Sequence, residues 1–227
     1  MRFALCIKGA HSIQSYCANG FTNRIKLLST DSFTSIKKNI IDVIKEQGHE
    51  IDIFISTYDC NACDYLIELY KPVSSYKFDS MYMSSNYRFT SQVNHYLKLV
   101  DLINIYEINN KIEYDIVITT RFDIIFNCPY NNLPILYDKF NTTIKHVSGN
   151  CDDNLWIFPR KYLNIFRDSC NELLNPSNDI SMHTTHYINN ILEKYNIPMH
   201  FFYDLNINSS YIYKYKEYFI FSSDGIR

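Results

Sequence analysis

The chain has 227 residues, of which 46% are hydrophobic and 16% aromatic, and its formal net charge is −2. This length and apolar content indicate a globular protein with a full core and argue against a disordered chain. The basic residues are scattered along a slightly acidic chain, so no nucleic-acid partner is expected.

The sequence contains no segment typical of export or of a membrane span. The apolar run Met1–Ile7 is too short for a signal peptide and predicts a first strand. No apolar run reaches the roughly 18 residues that a membrane-spanning helix requires. The seven cysteines are irregularly spaced, which favours reduced thiols in a cytoplasmic protein. Cys60 and Cys63 have the spacing of a redox or zinc pair, but they lack the further partners and context that either role requires.

The first half of the chain alternates strands and helices. A first strand over residues 2–7 leads into the loop Lys8-Gly9-Ala10-His11-Ser12, and residues 13–30 have no period and indicate an irregular insertion. A helix is predicted from about residue 31 to its stop at Gly48, followed by a strand over 51–59. A helix between two buried strands predicts a parallel βαβ unit.

The next segments continue this alternation. They predict a short helix over 62–70, a short strand over 73–78, a surface loop over 79–88, and a long helix over about 89–108. The helix leads into Tyr114–Phe126, which starts as a buried strand, becomes polar, and ends apolar.

The polar part of Tyr114–Phe126 contains Arg121 and Asp123 at the predicted carboxyl end of a strand. Ligands bind at this end of strands in open α/β sheets, and buried charges there are costly unless they are paired or bind something. Asp123 is therefore a candidate ligand of a divalent metal, and Arg121 a candidate ligand of an anion. The alternative is an Arg121–Asp123 ion pair that only caps the strand.

The second half is less regular. A strand is predicted over 142–147, and a short one follows the adjacent carboxylates Asp152 and Asp153. If these two are in extended backbone, their side chains point to opposite faces, so only one of them is expected to face a pocket; a solvated turn is the alternative. Pro159 is predicted to start a helix that runs to about residue 174. A later helix, over about 180–195, has His183 and His186 on one face, where a polar surface is favoured over a metal site.

These residue types suit the transfer of a sugar from a nucleoside diphosphate. A divalent cation held by Asp123 would neutralise the leaving diphosphate, and Arg121 would meet a phosphate oxygen with its fork of donors. An inverting transfer also needs a base for the acceptor hydroxyl, for which Asp153 and Asp152 are the candidates.

Four stretches of the chain resemble a family of small GT-A-type glycosyltransferases found in bacteria and in large DNA viruses. They lie in the first two-thirds of the chain, at Cys6–Gly9, Asp52–Tyr58, Tyr114–Asp123 and Asp152–Trp156. The third is the most specific, because it matches a Tyr-Asp-x-Val-x-x-x-Arg-x-Asp strand.

The resemblance implies a single GT-A-like α/β domain with a mixed, mostly parallel sheet and helices on both faces. Residues 1–126 would form a nucleotide-binding half, and 127–227 an acceptor-side half. By position, Lys8, Gly9, His11 and Thr57 would line the nucleotide site with Arg121. Asp123 falls where the family's acidic metal motif lies, and Asp153 or Asp152 where a base or acceptor-binding carboxylate is expected.

The implied enzyme transfers a hexosyl or deoxyhexosyl group from a UDP- or GDP-linked sugar to a glycan or protein-linked glycan, with Mn²⁺ or Mg²⁺. Its expected location is the cytoplasm, that of the host if the chain is viral. The chain departs from the family in its first loop, where Ala10 and His11 replace an expected arginine, and in its Arg-Phe-Asp motif, where Asp-x-Asp is usual. The alternatives are a nucleotidyltransferase and a catalytically inactive sugar-binding or virion protein on the same scaffold.

Overall fold

The computed structural model describes residues 1–9, 23–59, 61–79, 88–145, 151–174, 188–204 and 219–221. The strands are β1 (Arg2–Lys8), β2 (Glu50–Tyr58), β3 (Ser74–Phe78), β4 (Ile116–Arg121), β5 (Ile124–Phe126), β6 (Phe140–Lys145), β7 (Leu155–Pro159), β8 (Met199–Asp204) and β9 (Phe219–Phe221). The α-helices are α1 (Asn23–Ile36), α2 (Asp42–Glu46), α3 (Asn61–Tyr70), α4 (Arg88–Asn110), α5 (Leu163–Leu173) and α6 (Ile188–Lys194). A π-helical segment, Lys37–Ile41, joins α1 to α2.

Seven strands form the main sheet in the order β3-β2-β1-β4-β7-β6-β8. The four strands on one side, β3, β2, β1 and β4, are mutually parallel. Strand β7 runs antiparallel to both β4 and β6, and β8 is parallel to β6. Strands β5 and β9 form a separate antiparallel pair. The predicted α/β fold with a mixed, mostly parallel sheet is confirmed.

Both faces of the sheet are covered because the central strands are apolar on both sides. Alternate residues of β1 point to opposite faces: Phe3, Leu5 and Ile7 pack in one core cluster, and Ala4 and Cys6 in the other. The first cluster is closed by helices α1 to α3, and the second by α4, α5 and α6. This arrangement explains the nearly continuous apolar run at the start of the chain.

Helix α1 begins at Asn23, and the prediction that residues 13–30 are irregular is therefore wrong for its last eight residues. Thr30 and Asp31, the predicted start of the helix, lie inside it. Ser35, further along α1, shows how a tertiary contact supports a polar residue within the helix. Its hydroxyl donates to the carbonyl of Phe126 at 3.0 Å and accepts from the Phe126 amide at 2.7 Å. A tertiary contact thus outweighs the local preference of serine for a helix end.

The predicted stop at Gly48 is confirmed. Gly48 has φ of +78°, and its amide donates to the carbonyl of Lys45 at 2.9 Å. The left-handed conformation ends a helix at little cost only in glycine, because a side chain strains it. The chain can then turn directly into β2.

The stretch Tyr114–Phe126 is two strands and not one. Strand β4 ends at Arg121, the turn at Phe122 and Asp123 follows, and β5 pairs with β9 in the separate sheet. Pro159 also differs from its prediction, because it is the last residue of β7 and a 3₁₀ turn over Arg160–Tyr162 precedes α5. At this position its missing N–H removes no helix hydrogen bond.

Some predicted features lie outside the described residues, among them His11, Cys60, His183 and His186. Five cysteines within the described residues are free thiols, namely Cys6, Cys63, Cys128, Cys151 and Cys170. Among the helices of the described ranges, none combines the length and apolarity needed to cross a membrane.

Candidate active site

The candidate site lies where β1 and β4 end and β7 begins. The parallel register of β1 and β4 places Lys8 beside Arg121. Because β7 runs antiparallel to β4, with Thr120 opposite Leu155, the residues just before β7 lie at the same edge of the sheet. Three stretches that are far apart in the sequence therefore deliver charged side chains to one place.

Arg121 is the centre of this charged cluster. Its Nε donates to Oδ1 of Asp123 at 2.9 Å, and its Nη2 donates to Oδ2 of the same carboxylate at 2.7 Å. Its Nη1 donates to Oδ1 of Asp153 at 3.3 Å. The turn after β4 aims Asp123 back at the strand end, which allows the two-pronged contact. Burial opposes the charge of Arg121, but the carboxylates of Asp153 and Asp123 outweigh it and raise the pKa of the guanidinium above its ordinary value.

Lys8 completes the cluster from β1. Its Nζ donates to Oδ2 of Asp153 at 3.1 Å and lies 4.2 Å from the centre of the Tyr96 ring. The Tyr96 ring in turn stacks on Trp156 at 4.6 Å, and its hydroxyl donates to the Asp153 carbonyl at 3.4 Å. Burial lowers the pKa of Lys8, while the neighbouring Asp153 works in the opposite direction. Lys8, Arg121, Asp123 and Asp153 are hereafter called the charge cluster.

Asp152 and Asp153 face different surroundings, and only Asp153 belongs to the charge cluster. Oδ1 of Asp152 accepts from the Thr142 hydroxyl at 3.1 Å and from the Ile144 amide at 3.2 Å. Its Oδ2 accepts from the Thr143 hydroxyl and from Nδ2 of Asn154 at 2.8 Å. These contacts tie the turn before β7 to β6. Burial raises the pKa of Asp152, the Thr143 hydrogen bond opposes that rise, and the charge of Asp153 adds to it.

Gly9 and Thr57 lie next to each other at the ends of β1 and β2. The Thr57 hydroxyl donates to the Gly9 carbonyl at 3.3 Å, and the Gly9 amide donates to the Ser56 carbonyl at 3.0 Å. Gly9 has φ of +82°, a conformation that glycine adopts without strain. The structure thus brings Lys8, Gly9 and Thr57 to the predicted edge.

His95 of α4 is a site neighbour that the sequence did not reveal. Its Nδ1 lies 2.8 Å from the Ser56 hydroxyl, and its ring packs edge-on against Tyr58 and Phe78. Burial and the charge of Lys8 lower the pKa of His95 to about 3, so the imidazole is neutral. Nε2 is buried without a hydrogen-bond partner among the described residues. A single histidine on an apolar helix face carries no pattern that would have marked it.

An Mn²⁺ or Mg²⁺ ion at this site would need the carboxylates of the charge cluster as ligands. Both ions take oxygen ligands, often only one or two of them from protein. Here both oxygens of Asp123 accept from Arg121, and the two oxygens of Asp153 accept from Arg121 and Lys8. The described residues contain no group of three or more His, Cys, Asp or Glu side chains that could hold a metal. In this arrangement the residues do not fit a divalent cation, and the ion pair foreseen as the alternative at Arg121 and Asp123 is formed.

Comparisons with known proteins gave similarity only at the level of structure. No protein-family model matches the sequence, and no curated protein matches it significantly. A nucleoside-diphosphate-sugar pyrophosphorylase from Vibrio cholerae RC9 superposes with a TM-score of 0.48 and 11% identity, covering 89% of this chain and 91% of that one. A glycosyltransferase involved in the glycosylation of the major capsid of PBCV-1 gives a TM-score of 0.48 and 11% identity, covering 97% of this chain and 92% of that one. Similarity at this level does not identify a function.

Proposed function

We propose that the chain is a glycosyltransferase that moves a sugar from a nucleoside-diphosphate sugar to a hydroxyl group of a glycan acceptor. The proposal rests on the resemblance of four stretches of the sequence to small GT-A-type glycosyltransferases. The observation that carries it further is the charge cluster, since three of those stretches contribute to it: Lys8 from the first, Arg121 and Asp123 from the third, and Asp153 from the fourth.

The position and burial of the cluster support a binding role over a purely structural one. Four charged side chains at one sheet edge are expensive to desolvate, and a buried ion pair is often no more stabilising than apolar residues of the same volume. The cluster also lies at the carboxyl ends of parallel strands, where ligands of open α/β sheets bind. A polar network at this place is better explained by recognition than by stability.

Within the proposed reaction each residue has a role. Arg121 is the cation that meets the diphosphate, because its side chain is 14% exposed whereas that of Lys8 is only 3% exposed. Gly9 and Thr57 line the nucleotide site beside it. Asp153 takes the proton of the acceptor hydroxyl or orients that hydroxyl, and Lys8 holds the Asp153 carboxylate in place.

Ligand-dependent thermal stability tests this function. We expect UDP or GDP, or one of their sugars, to raise the melting temperature by about 4 °C at roughly ten times its Kd. Arg121→Gln should abolish this increase. Arg160→Gln is the matched control and should leave the increase intact, because Arg160 makes an equivalent two-pronged ion pair with Glu107 near the opposite end of β4.

The outcome of the same series also separates the alternatives. A chain that no nucleotide and no nucleotide sugar stabilises, with or without Mn²⁺, is not the proposed transferase. Binding of a nucleoside triphosphate and a sugar phosphate, in the absence of nucleotide-sugar hydrolysis or transfer, would indicate a nucleotidyltransferase instead.

A further inference from the structure

We infer that Asp123 holds Arg121 in place and does not bind a divalent cation, so that the nucleotide-sugar site works without a metal. This inference rests on the proposed function and specifies which side chain would meet the diphosphate without a metal ion. It departs from the sequence-based prediction of Mn²⁺ or Mg²⁺ at Asp123.

Both carboxylate oxygens of Asp123 contact Arg121. Oδ1 and Oδ2 of Asp123 each accept a hydrogen bond from a different nitrogen of the Arg121 guanidinium, at 2.9 and 2.7 Å. Two parallel, charge-assisted hydrogen bonds are the strongest arrangement available to this pair. A metal ion at Asp123 would therefore have to share each carboxylate oxygen with the guanidinium of Arg121.

The formal charge of the cluster also disfavours a divalent cation. The charge cluster contains two carboxylates and two cations within ion-pair distance of each other, so its formal sum is zero. An Mg²⁺ ion lies about 2.1 Å from a ligand oxygen. Since Nη2 of Arg121 is 2.7 Å from Oδ2 of Asp123, an ion bound to that oxygen would lie within about 5 Å of a full positive charge. The four residues of the charge cluster hold no excess of negative charge that would compensate this repulsion.

Pairing with Asp123 orients the guanidinium of Arg121. Arginine has a long, flexible side chain, and its guanidinium is a good diphosphate ligand only when its fork is oriented. Asp123 fixes two of the nitrogens, and Asp153 contacts the third. The guanidinium is thereby held at the sheet edge before a ligand arrives, which lowers the entropic cost of binding. Asp123 is on this reasoning a positioning residue.

The experiment is a calorimetric titration of the wild-type chain with Mn²⁺ alone, followed by nucleotide titrations in EDTA and in Mn²⁺. We expect no saturable Mn²⁺ binding up to about 1 mM, and nucleotide Kd values that differ by less than about twofold between the two conditions. Asp123→Asn should weaken nucleotide binding equally in EDTA and in Mn²⁺. Glu107→Gln, which removes the partner of Arg160 instead, should leave nucleotide binding unchanged.

Stoichiometric Mn²⁺ binding to the wild-type chain, or nucleotide binding that requires Mn²⁺, would overturn the inference while supporting the transferase. The wild-type titrations decide this point even if the Asp123 variant fails to fold. A chain that binds neither Mn²⁺ nor any nucleotide refutes the proposed function, because the proposed transferase must bind its nucleotide-sugar donor. The two failures are therefore distinguishable.

Discussion

Lys8 and Asp153 lie 145 positions apart in the chain, yet Nζ of Lys8 donates to Oδ2 of Asp153 at 3.1 Å in the buried edge of the sheet. This ion pair joins the first strand to the turn before β7. Because Arg121 contacts the other oxygen of Asp153, the carboxylate is held between two cations from adjacent strands. The orientation of the Asp153 carboxylate therefore depends on both cations.

Replacing Lys8 by methionine should destabilise the protein by about 3 kcal/mol, because it removes one partner of a buried ion pair and leaves Asp153 less well compensated. Urea unfolding measures this free energy. The control is Lys77→Met, since Lys77 pairs with Asp59 and Asp64 at the surface. That change should cost less than about 1 kcal/mol. An equal loss of unfolding free energy in the two variants would show that the buried Lys8–Asp153 pair stabilises the protein no more than a surface ion pair does.

The parts of the candidate site that lie at the ends of recognisable strands could be predicted from the sequence. A buried apolar run followed by Arg121 and Asp123 predicts a polar strand end, and parallel strands deliver such ends to one edge of the sheet. The resemblance to GT-A-type glycosyltransferases places Lys8 at the nucleotide site, after the predicted first strand. Its contact with Asp153, however, follows from the register of β1 against β4 and from the antiparallel entry of β7, which no local pattern specifies.

Other features depended on contacts that are distant in sequence. The choice between Asp152 and Asp153 is made by Thr142 and Thr143 on β6, which bind Asp152 and turn its neighbour toward Arg121. Residues 23–30 have no apolar period that predicts a helix, yet they form the first turns of α1.

His95 should give the protein a specific sensitivity to mild acid. Burial lowers its folded-state pKa to about 3, whereas an unfolded histidine titrates near 6.5, so the unfolded chain binds the extra proton. The stabilising contribution is complete above pH 6.5 and is lost as the pH falls toward 3. Between pH 8 and pH 5 this loss is about 2 kcal/mol in the free energy of unfolding.

Urea unfolding as a function of pH measures this effect, and His95→Asn should remove it. Asparagine places an amide near the position of Nδ1 and retains a partner for Ser56, but it does not titrate. His200→Asn is the control, because it removes a histidine and leaves His95 in place. If the His95→Asn variant kept the full pH dependence of the unfolding free energy between pH 8 and pH 5, that dependence would come from other titratable groups.

Asp152 should matter for stability more than for ligand contact. Asp152→Ala leaves the Thr142 and Thr143 hydroxyls, the Ile144 amide and the Asn154 side chain without their shared acceptor, and we expect a loss of about 3 kcal/mol. Asp152→Asn, which retains one acceptor oxygen and adds no buried charge, should lose less than half as much. Chemical denaturation of both variants tests this, and a smaller loss for alanine than for asparagine would contradict the account.

Arg121→Lys tests whether the cluster requires a guanidinium or only a positive charge. Lysine keeps the charge but presents a single ammonium group, so it cannot bond both oxygens of Asp123 and reach Asp153 at once. We expect about 2 kcal/mol of destabilisation and at least about tenfold weaker nucleotide binding. Arg160→Lys removes the equivalent two-pronged contact with Glu107 and should lower stability without weakening nucleotide binding. If Arg121→Lys binds nucleotide as well as the wild type does, the fork is not what recognises the diphosphate, and Arg121 serves only to neutralise Asp123 and Asp153.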